Sequence, residues 1–166
     1  MGGFKMEGFL KEDKEFKLWW LMNRTRDAMF KVRARELRKS DISVRQAGAL
    51  LVIKVLGDRA ILADVARWLF KEQHSVCGLI SRMEKDGLVK RFKDLEKKNL
   101  VRVEMTEKGR QACEDSLKRD AIHHVISALS EEERKQFGSC LMKLRSKALE
   151  DLSVDTSVID NLPPWP

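Results

Sequence analysis

The stretch ILADVARWLFKEQHSVCGLISRMEKDGLVKRFKDLEKKNLVRVEMTEKG, residues 61–109, decides the fold. Its first ten residues put Leu62, Val65, Ala66 and Leu69 on one helical face. The polar break Lys71-Glu72-Gln73-His74 ends that helix. Ser75 has the chemistry of a cap for the next one, residues 75–86, where Val76, Leu79, Ile80 and Met83 recur at helical spacing. Gly87 stands where this second helix must stop, because glycine enters the left-handed conformation at least cost. Two β-prone runs follow, 88–92 and 100–105, with a charged loop, 93–99, between them.

Helix, turn, helix and basic hairpin together read as a winged helix-turn-helix, a unit that sets one helix in a DNA major groove and the hairpin beside it. The segments on either side are helical and long. Residues 11–39 contain no Pro or Gly and carry two apolar stripes, one through Leu18, Leu21, Met22, Met29 and Val32, the other through Phe16, Trp20 and Phe30. Ser43-Val44-Arg45-Gln46 is a capping box for a core helix that ends at Gly57. After the hairpin, Thr106 caps a helix whose apolar residues run from Ala112 to Leu129, and Ser130-Glu131-Glu132-Glu133 opens a last one. The expected class is mainly α with a small β-hairpin wing. It divides into an N-terminal dimerisation helix (10–39), a winged helix-turn-helix domain (40–105), C-terminal dimerisation helices (106–152) and a tail (153–166). The flanking helices hold more apolar surface than a small head can cover, which predicts a two-fold homodimer.

Composition narrows the function. The 166 residues are 43% hydrophobic and 36% charged with a formal charge of +7. The positive charge is concentrated between Lys17 and Lys39, while residues 150–166 contain acidic residues and no Lys or Arg. Phosphate backbones are therefore plausible partners. Three widely spaced cysteines, Cys77, Cys113 and Cys140, fit reduced thiols. No run is apolar enough to span a membrane, so a cytoplasmic protein is expected. His123 and His124 are adjacent and point to different sides of a helix, so no metal site is expected. No catalytic constellation and no cofactor motif is present.

At this point the residues resemble the MarR family of transcriptional regulators, over roughly residues 18–152. The resemblance rests on Leu62-Ala63, on the run Ser75-Val76-Cys77-Gly78-Leu79-Ile80-Ser81-Arg82-Met83-Glu84-Lys85-Asp86-Gly87-Leu88-Val89, and on Met105-Thr106-Glu107-Lys108-Gly109, which is similar to the family's L-T-x-x-G. It implies a dimeric winged-helix regulator, usually a repressor, that binds double-stranded DNA at a pseudopalindromic operator and often releases it when a small ligand binds; the side chains of the first helix make a small aromatic effector the expected ligand. The family's Asp-x-Arg before that motif is replaced here by Lys97-Lys98-Asn99. A lysine lacks the planar fork of arginine, so narrow-groove reading by the wing is weakened. The peroxide-sensing branch is described with a reactive Cys on the first helix, and this chain has none there.

The residues expected to face DNA are Arg45, Lys71, Gln73, His74, Ser75, Cys77, Gly78, Ser81 and Arg82, with Lys93, Lys97 and Lys98 from the wing at 93–99 and further phosphate contacts from Lys90 and Arg91. Cys77 is read as filling a Ser/Thr-like slot on this face. By resemblance, the effector pocket lies between the first helix, the second and the head, which makes Trp19, Trp20, Arg24 and Phe30 its candidate walls. An aromatic carboxylate or a phenol would suit them. The alternative is a winged-helix protein–protein interaction module whose basic hairpin binds an acidic partner, and the altered wing favours it.

Overall fold

The computed structural model describes residues 13–93 and 100–154. Seven α-helices and one hairpin follow in order: α1 (Lys14–Leu37), α2 (Val44–Leu56), α3 (Leu62–Trp68), α4 (Gln73–Lys85), β1 (Val89–Lys93), β2 (Val101–Met105), α5 (Glu107–Ser116), α6 (Asp120–Ile126) and α7 (Glu131–Asp151). The arrangement is mainly helical with a small hairpin wing, as the hydrophobic patterning predicts. Among the described residues no helix is long and apolar enough to cross a membrane.

Local signals set most of the boundaries. Asp13 accepts from the Phe16 N–H at 2.8 Å and starts α1. Ser43 and Gln46 form the complete capping box of α2, and Ser130 and Glu133 that of α7. Gly57 ends α2 at φ 57°, and Gly87 takes φ 73° after α4, both in the left-handed half of backbone space. At Gly87 the Leu88 N–H bonds the Met83 carbonyl at 2.8 Å and the Gly87 N–H bonds that of Glu84 at 3.0 Å, which is a Schellman stop.

The structure corrects four expected helix boundaries. The first concerns Ser75, which does not cap α4. The helix begins at Gln73 behind Glu72, with no side-chain cap, and Ser75 lies in its first turn. The reason is the turn before it. Phe70 adopts φ 51°, with Lys71 N–H bonded to the Ala66 carbonyl and Phe70 N–H to that of Arg67, both at 3.0 Å. This closes α3 with a Schellman stop on a non-glycine residue, so two residues suffice to enter α4.

The second correction is at the N-terminal end of α3. Residues 60–61 are drawn toward the sheet: Ile61 bridges Arg102, and the Val103 N–H bonds the Ala60 carbonyl at 3.0 Å. The third is the expected continuous helix after Thr106, which is broken. α5 ends at Ser116, Arg119 takes φ 54°, and α6 starts at Asp120. The long first helix likewise yields to a 3₁₀ turn at Arg38–Ser40, followed by Asp41 at φ 51°.

One core underlies the head. Leu50 and Ile53 of α2, Val65 of α3, Val76, Ile80 and Met83 of α4, and Val89 and Val103 of the hairpin are buried together. Leu37 of α1 and Cys113 of α5 join them. The strands pair antiparallel, with Val89 opposite Met105 and Arg91 opposite Val103. Outside this core the helices are thinly covered. In α7 only Gly138 and Leu149 are buried. Trp19 is 54% exposed, Leu21 61%, Phe137 48% and Leu144 49%.

The tightest approach joins the hairpin to α5. Thr106 caps α5 by accepting from the Gly109 N–H at 3.0 Å, its hydroxyl lies 2.6 Å from the Gly87 carbonyl oxygen, and its own N–H bonds the Leu88 carbonyl at 3.0 Å. A Cβ added at Gly109 would sit 1.9 Å from that same Leu88 oxygen, and backbone cannot step aside as a side chain does. Gly109→Ala is therefore expected to destabilise the protein by about 1–3 kcal/mol, the usual cost of overpacking. Urea unfolding would show it as a lower midpoint at unchanged slope, and an unchanged midpoint would refute the close approach.

Candidate nucleic-acid interface

α4 is anchored through one face and presents the other. Val76, Ile80 and Met83 are buried, while Gln73, His74, Ser75, Gly78, Arg82 and Lys85 are exposed. Cys77 and Ser81 are half-buried on the flank nearer the wing. A Cβ built at Gly78 meets nothing within 4 Å, so packing inside the chain does not require glycine there. No side chain caps the start of α4 and no acidic residue lies in its first turn. Helix starts of this kind hold N–H donors that favour a phosphate.

The structure brings part of the expected set together. Arg45 at the start of α2, Lys71 in the turn, and Ser75 and Arg82 on α4 surround one hollow of about 310 Å³, floored by Val76 and Leu79. Three cations thus stand around the exposed face of α4 from three different elements. The Arg82 Nε reaches back to the Gly78 carbonyl at 3.3 Å, a long contact that leaves the guanidinium at the surface. Lys93 is exposed at the far end of β1, and Lys97 and Lys98 lie outside the described residues.

Arg91 is not a free phosphate ligand, which corrects its assignment. Its backbone N–H and Nε donate to the Glu84 carboxylate at 3.0 and 2.8 Å, and its NH1 donates to the Ser81 hydroxyl at 3.1 Å. That hydroxyl is accordingly an acceptor for Arg91 as well as part of the α4 surface. The hydrogen bond from the Arg91 side chain, and then that from its backbone, hold the Glu84 carboxyl below its usual range. The pair fixes the hairpin to α4. The same C-terminal end of α4 is also held by Gln46, whose Nε2 donates to Asp86 at 2.9 Å, and by Lys108, which donates to the Asp86 carbonyl at 2.8 Å. None of these ties was read from the sequence. Glu84 and Arg91 are seven apart across a helix stop, a spacing that neither helical nor strand periodicity flags.

The candidate effector walls are spread along α1. Trp19 and Trp20 stack with Phe16 at centroid distances of 5.3 and 6.5 Å, and Arg26 lies over Phe30 at 5.9 Å. Trp19 and Phe30 are eleven residues apart, about 16 Å along a helix. Arg24, between them, is exposed. A separate hollow of about 470 Å³ opens between the turn after α1, the start of α2, the stop of α4 and α5, with Asp41, Asp86, Asp115, Gln46 and Lys108 on its walls. Cys113, in the core, is raised in pKa by burial, which keeps its thiol protonated.

No family model and no curated protein matches the sequence. Solved structures do. The organohalide-sensing RdhR-CbdbA1625 transcriptional regulator in its ligand-free form is 28% identical with a TM-score of 0.83, over 95% of this chain and 93% of that one. Its 2,4-dichlorophenol-bound form is 29% identical with a TM-score of 0.80, over 85% of each chain. The S. aureus MepR–DNA complex, 24% identical over 77% of this chain and 96% of that one, has a TM-score of 0.71 and shares the fold.

The Glu84–Arg91 tie makes a pH prediction. The carboxyl pKa is lower folded than unfolded, so its stabilisation is present above the unfolded value and is lost as pH falls through the folded one. Glu84→Gln should melt below wild type at neutral pH, and the gap should close as pH drops through and below about 4, the ordinary carboxylate value. Thermal unfolding across that range tests it, and a gap independent of pH would exclude the ionic tie.

Proposed function

We propose that this chain, whose fold is that of the MarR-family winged-helix regulators, is a dimeric, sequence-specific DNA-binding transcriptional regulator that acts as a repressor. The observation that carries this reading is the face of α4. Gln73, His74, Gly78 and Arg82 form an exposed strip above a buried anchor, flanked by Arg45 and Lys71. In a major groove, Arg82 would take a guanine edge or a phosphate and Gln73 an adenine edge. The uncapped start of α4 would take a phosphate, and a helix bare of Cβ at Gly78 would allow close approach. Lys93, with Lys97 and Lys98, would meet the backbone from the wing.

The dimer rests on the apolar surface of α1 and α7. Trp19, Trp20, Leu21, Phe137, Leu141 and Leu144 stand exposed on helices that the head does not cover. Soluble monomers rarely leave so many large apolar side chains exposed on the same helices without a partner to cover them. A second copy would cover it and would set two α4 helices about one turn of DNA apart, matching a pseudopalindromic operator. The resemblance to a regulator solved with and without 2,4-dichlorophenol supports a small aromatic effector. Trp19, Trp20, Arg24 and Phe30 remain its proposed α1 walls.

The second reading, a protein–protein module that uses the basic hairpin, is favoured by one observation: Arg91, the wing's arginine on β1, is turned inward to Glu84 and Ser81. Titration against the chain's own upstream DNA across salt separates the two. Steep, sequence-selective binding supports the regulator, and no binding at low salt supports the module.

Arg82→Ala is expected to weaken selected DNA by about 10- to 100-fold, in line with 1–3 kcal/mol for a base contact, and to relax the choice at one position. Lys71→Ala should weaken all DNA and reduce the salt slope by about 0.9. Anisotropy titrations check both, and wild-type behaviour in both variants would remove α4 from the interface. Leu144→Glu should sediment as a monomer and lose at least about tenfold in operator affinity, since one head alone forfeits the coupled second contact. A dimeric Leu144→Glu variant would place the interface elsewhere.

A further inference from the structure

The break between α5 and α6 is where the head ends and the helical part begins. α5 belongs to the head: Gly109, Ala112, Cys113 and Ser116 are buried. α6 packs against α1 and has no buried residue. Between them the backbone turns through Arg119 at φ 54°, a costly conformation for a residue with a Cβ. A helix break leaves carbonyls unsatisfied on one side and amides on the other. No side chain of the break itself caps α6.

Both sides are instead held by α1. Arg33 donates to the Ser116 carbonyl, at the end of α5, and to Glu36. Glu36 accepts from the Ala121 N–H at 2.9 Å, at the start of α6. The charges match the helix ends they meet, a cation on a C-terminus and an anion on an N-terminus. Arg33 and Glu36 are three apart and share a face of α1. Their side chains are only 12% and 21% exposed. Beside them Leu37 enters the core of the head. Three helices are thus tied at one point by two side chains.

We propose that Arg33 and Glu36 are positioning residues for DNA recognition: their clasp fixes the angle between reading head and dimer helices, and so the half-site spacing the dimer accepts. This rests on the regulator reading above. Rotating a head of about 30 Å by about 6.5° moves its far side by about 3.4 Å. That is close to the rise of about 3.4 Å per base pair, so a small slackening at the clasp displaces α4 by a whole step. Two-fold symmetry repeats the displacement in the second head.

The test uses the full chain with Arg33→Lys and Glu36→Gln. Lysine keeps the charge but lacks the planar fork that Arg33 extends to Ser116 and Glu36; glutamine keeps an acceptor for Ala121 but loses the ion pair. Each variant is titrated against one half-site and against operators whose half-sites are moved apart or together by one and two base pairs. Sedimentation checks the dimer, and amide exchange follows 117–121. Expected are an intact dimer, half-site binding within twofold of wild type, faster exchange at 117–121, and at least a threefold loss of the preference for the best spacing. If one variant fails to fold, the other carries the test. Wild-type spacing preference in a folded variant would overturn the clasp while leaving the regulator reading intact. Absence of sequence-selective binding by the wild type would overturn both.

Discussion

The carbonyl of Leu88 is the point on which the head depends. It accepts the Thr106 N–H at 3.0 Å, and the Gly109 backbone lies so close that no Cβ fits between. Leu88 follows the stop of α4, while Thr106 and Gly109 open α5, so one oxygen fixes the end of the presented helix against the helix that leaves the head. The Thr106 hydroxyl, 2.6 Å from the Gly87 carbonyl, uses the polar groups that a helix stop would otherwise expose. With that junction set, β1 and β2 need only be a short antiparallel pair, and Val89 and Val103 close the core beneath α4. The 3.6-residue repeat of Val76, Ile80 and Met83 then dictates which side of α4 faces outward.

Charge is spent unequally around that helix. Arg91 and Glu84 face each other at 2.6 Å with each side chain about one-third exposed, and they hold wing to helix. Arg67 pairs with Asp64 and Arg110 with Glu107, each within one turn of its own helix, so neither pair joins two elements. Pairs of that kind contribute little to stability in water. Arg45, Lys71 and Arg82 instead stand around one hollow beside α4. The distinction is between cations committed to the fold and cations left at the surface. It explains why counting basic residues along the chain overstates the interface, as it did for Arg91.

What was legible in the sequence was what is local. Ser43 with Gln46, Ser130 with Glu133, Gly57, Gly87 and Thr106 act within four residues, and each does what its chemistry predicts. Ser75 shows how such a signal is overridden. Phe70 closes α3 in a left-handed turn, α4 starts three residues earlier than a Ser75 cap allows, and the serine becomes part of the exposed surface. The broken helix at Arg119 was missed because apolar spacing continues from Ala112 to Leu129 without a Gly or Pro to mark a stop. Its partners Arg33 and Glu36 are more than eighty residues away. Of the proposed site, the α4 face and its flanking cations could be read from periodicity. The ties that orient it, Gln46 to Asp86, Lys108 to Asp86 and Arg91 to Glu84, join separate elements and carry no periodic trace.

These two kinds of constraint divide the molecule. The head is closed around a core. α1 and α7 are unfinished in a single chain, with Trp19, Leu21, Phe137 and Leu144 facing outward. α1 belongs to both parts, since its Leu37 is in the core while its aromatic end is exposed. Anything that covers the exposed end must therefore act on the head through a rigid rod of about 36 Å. The rod meets the head at Arg33, Glu36 and Leu37 together, where two helix ends and the core converge. On the regulator reading, pairing two copies and spacing two recognition helices are one mechanical problem. A change in how α1 is covered cannot leave the head's orientation untouched unless that junction yields.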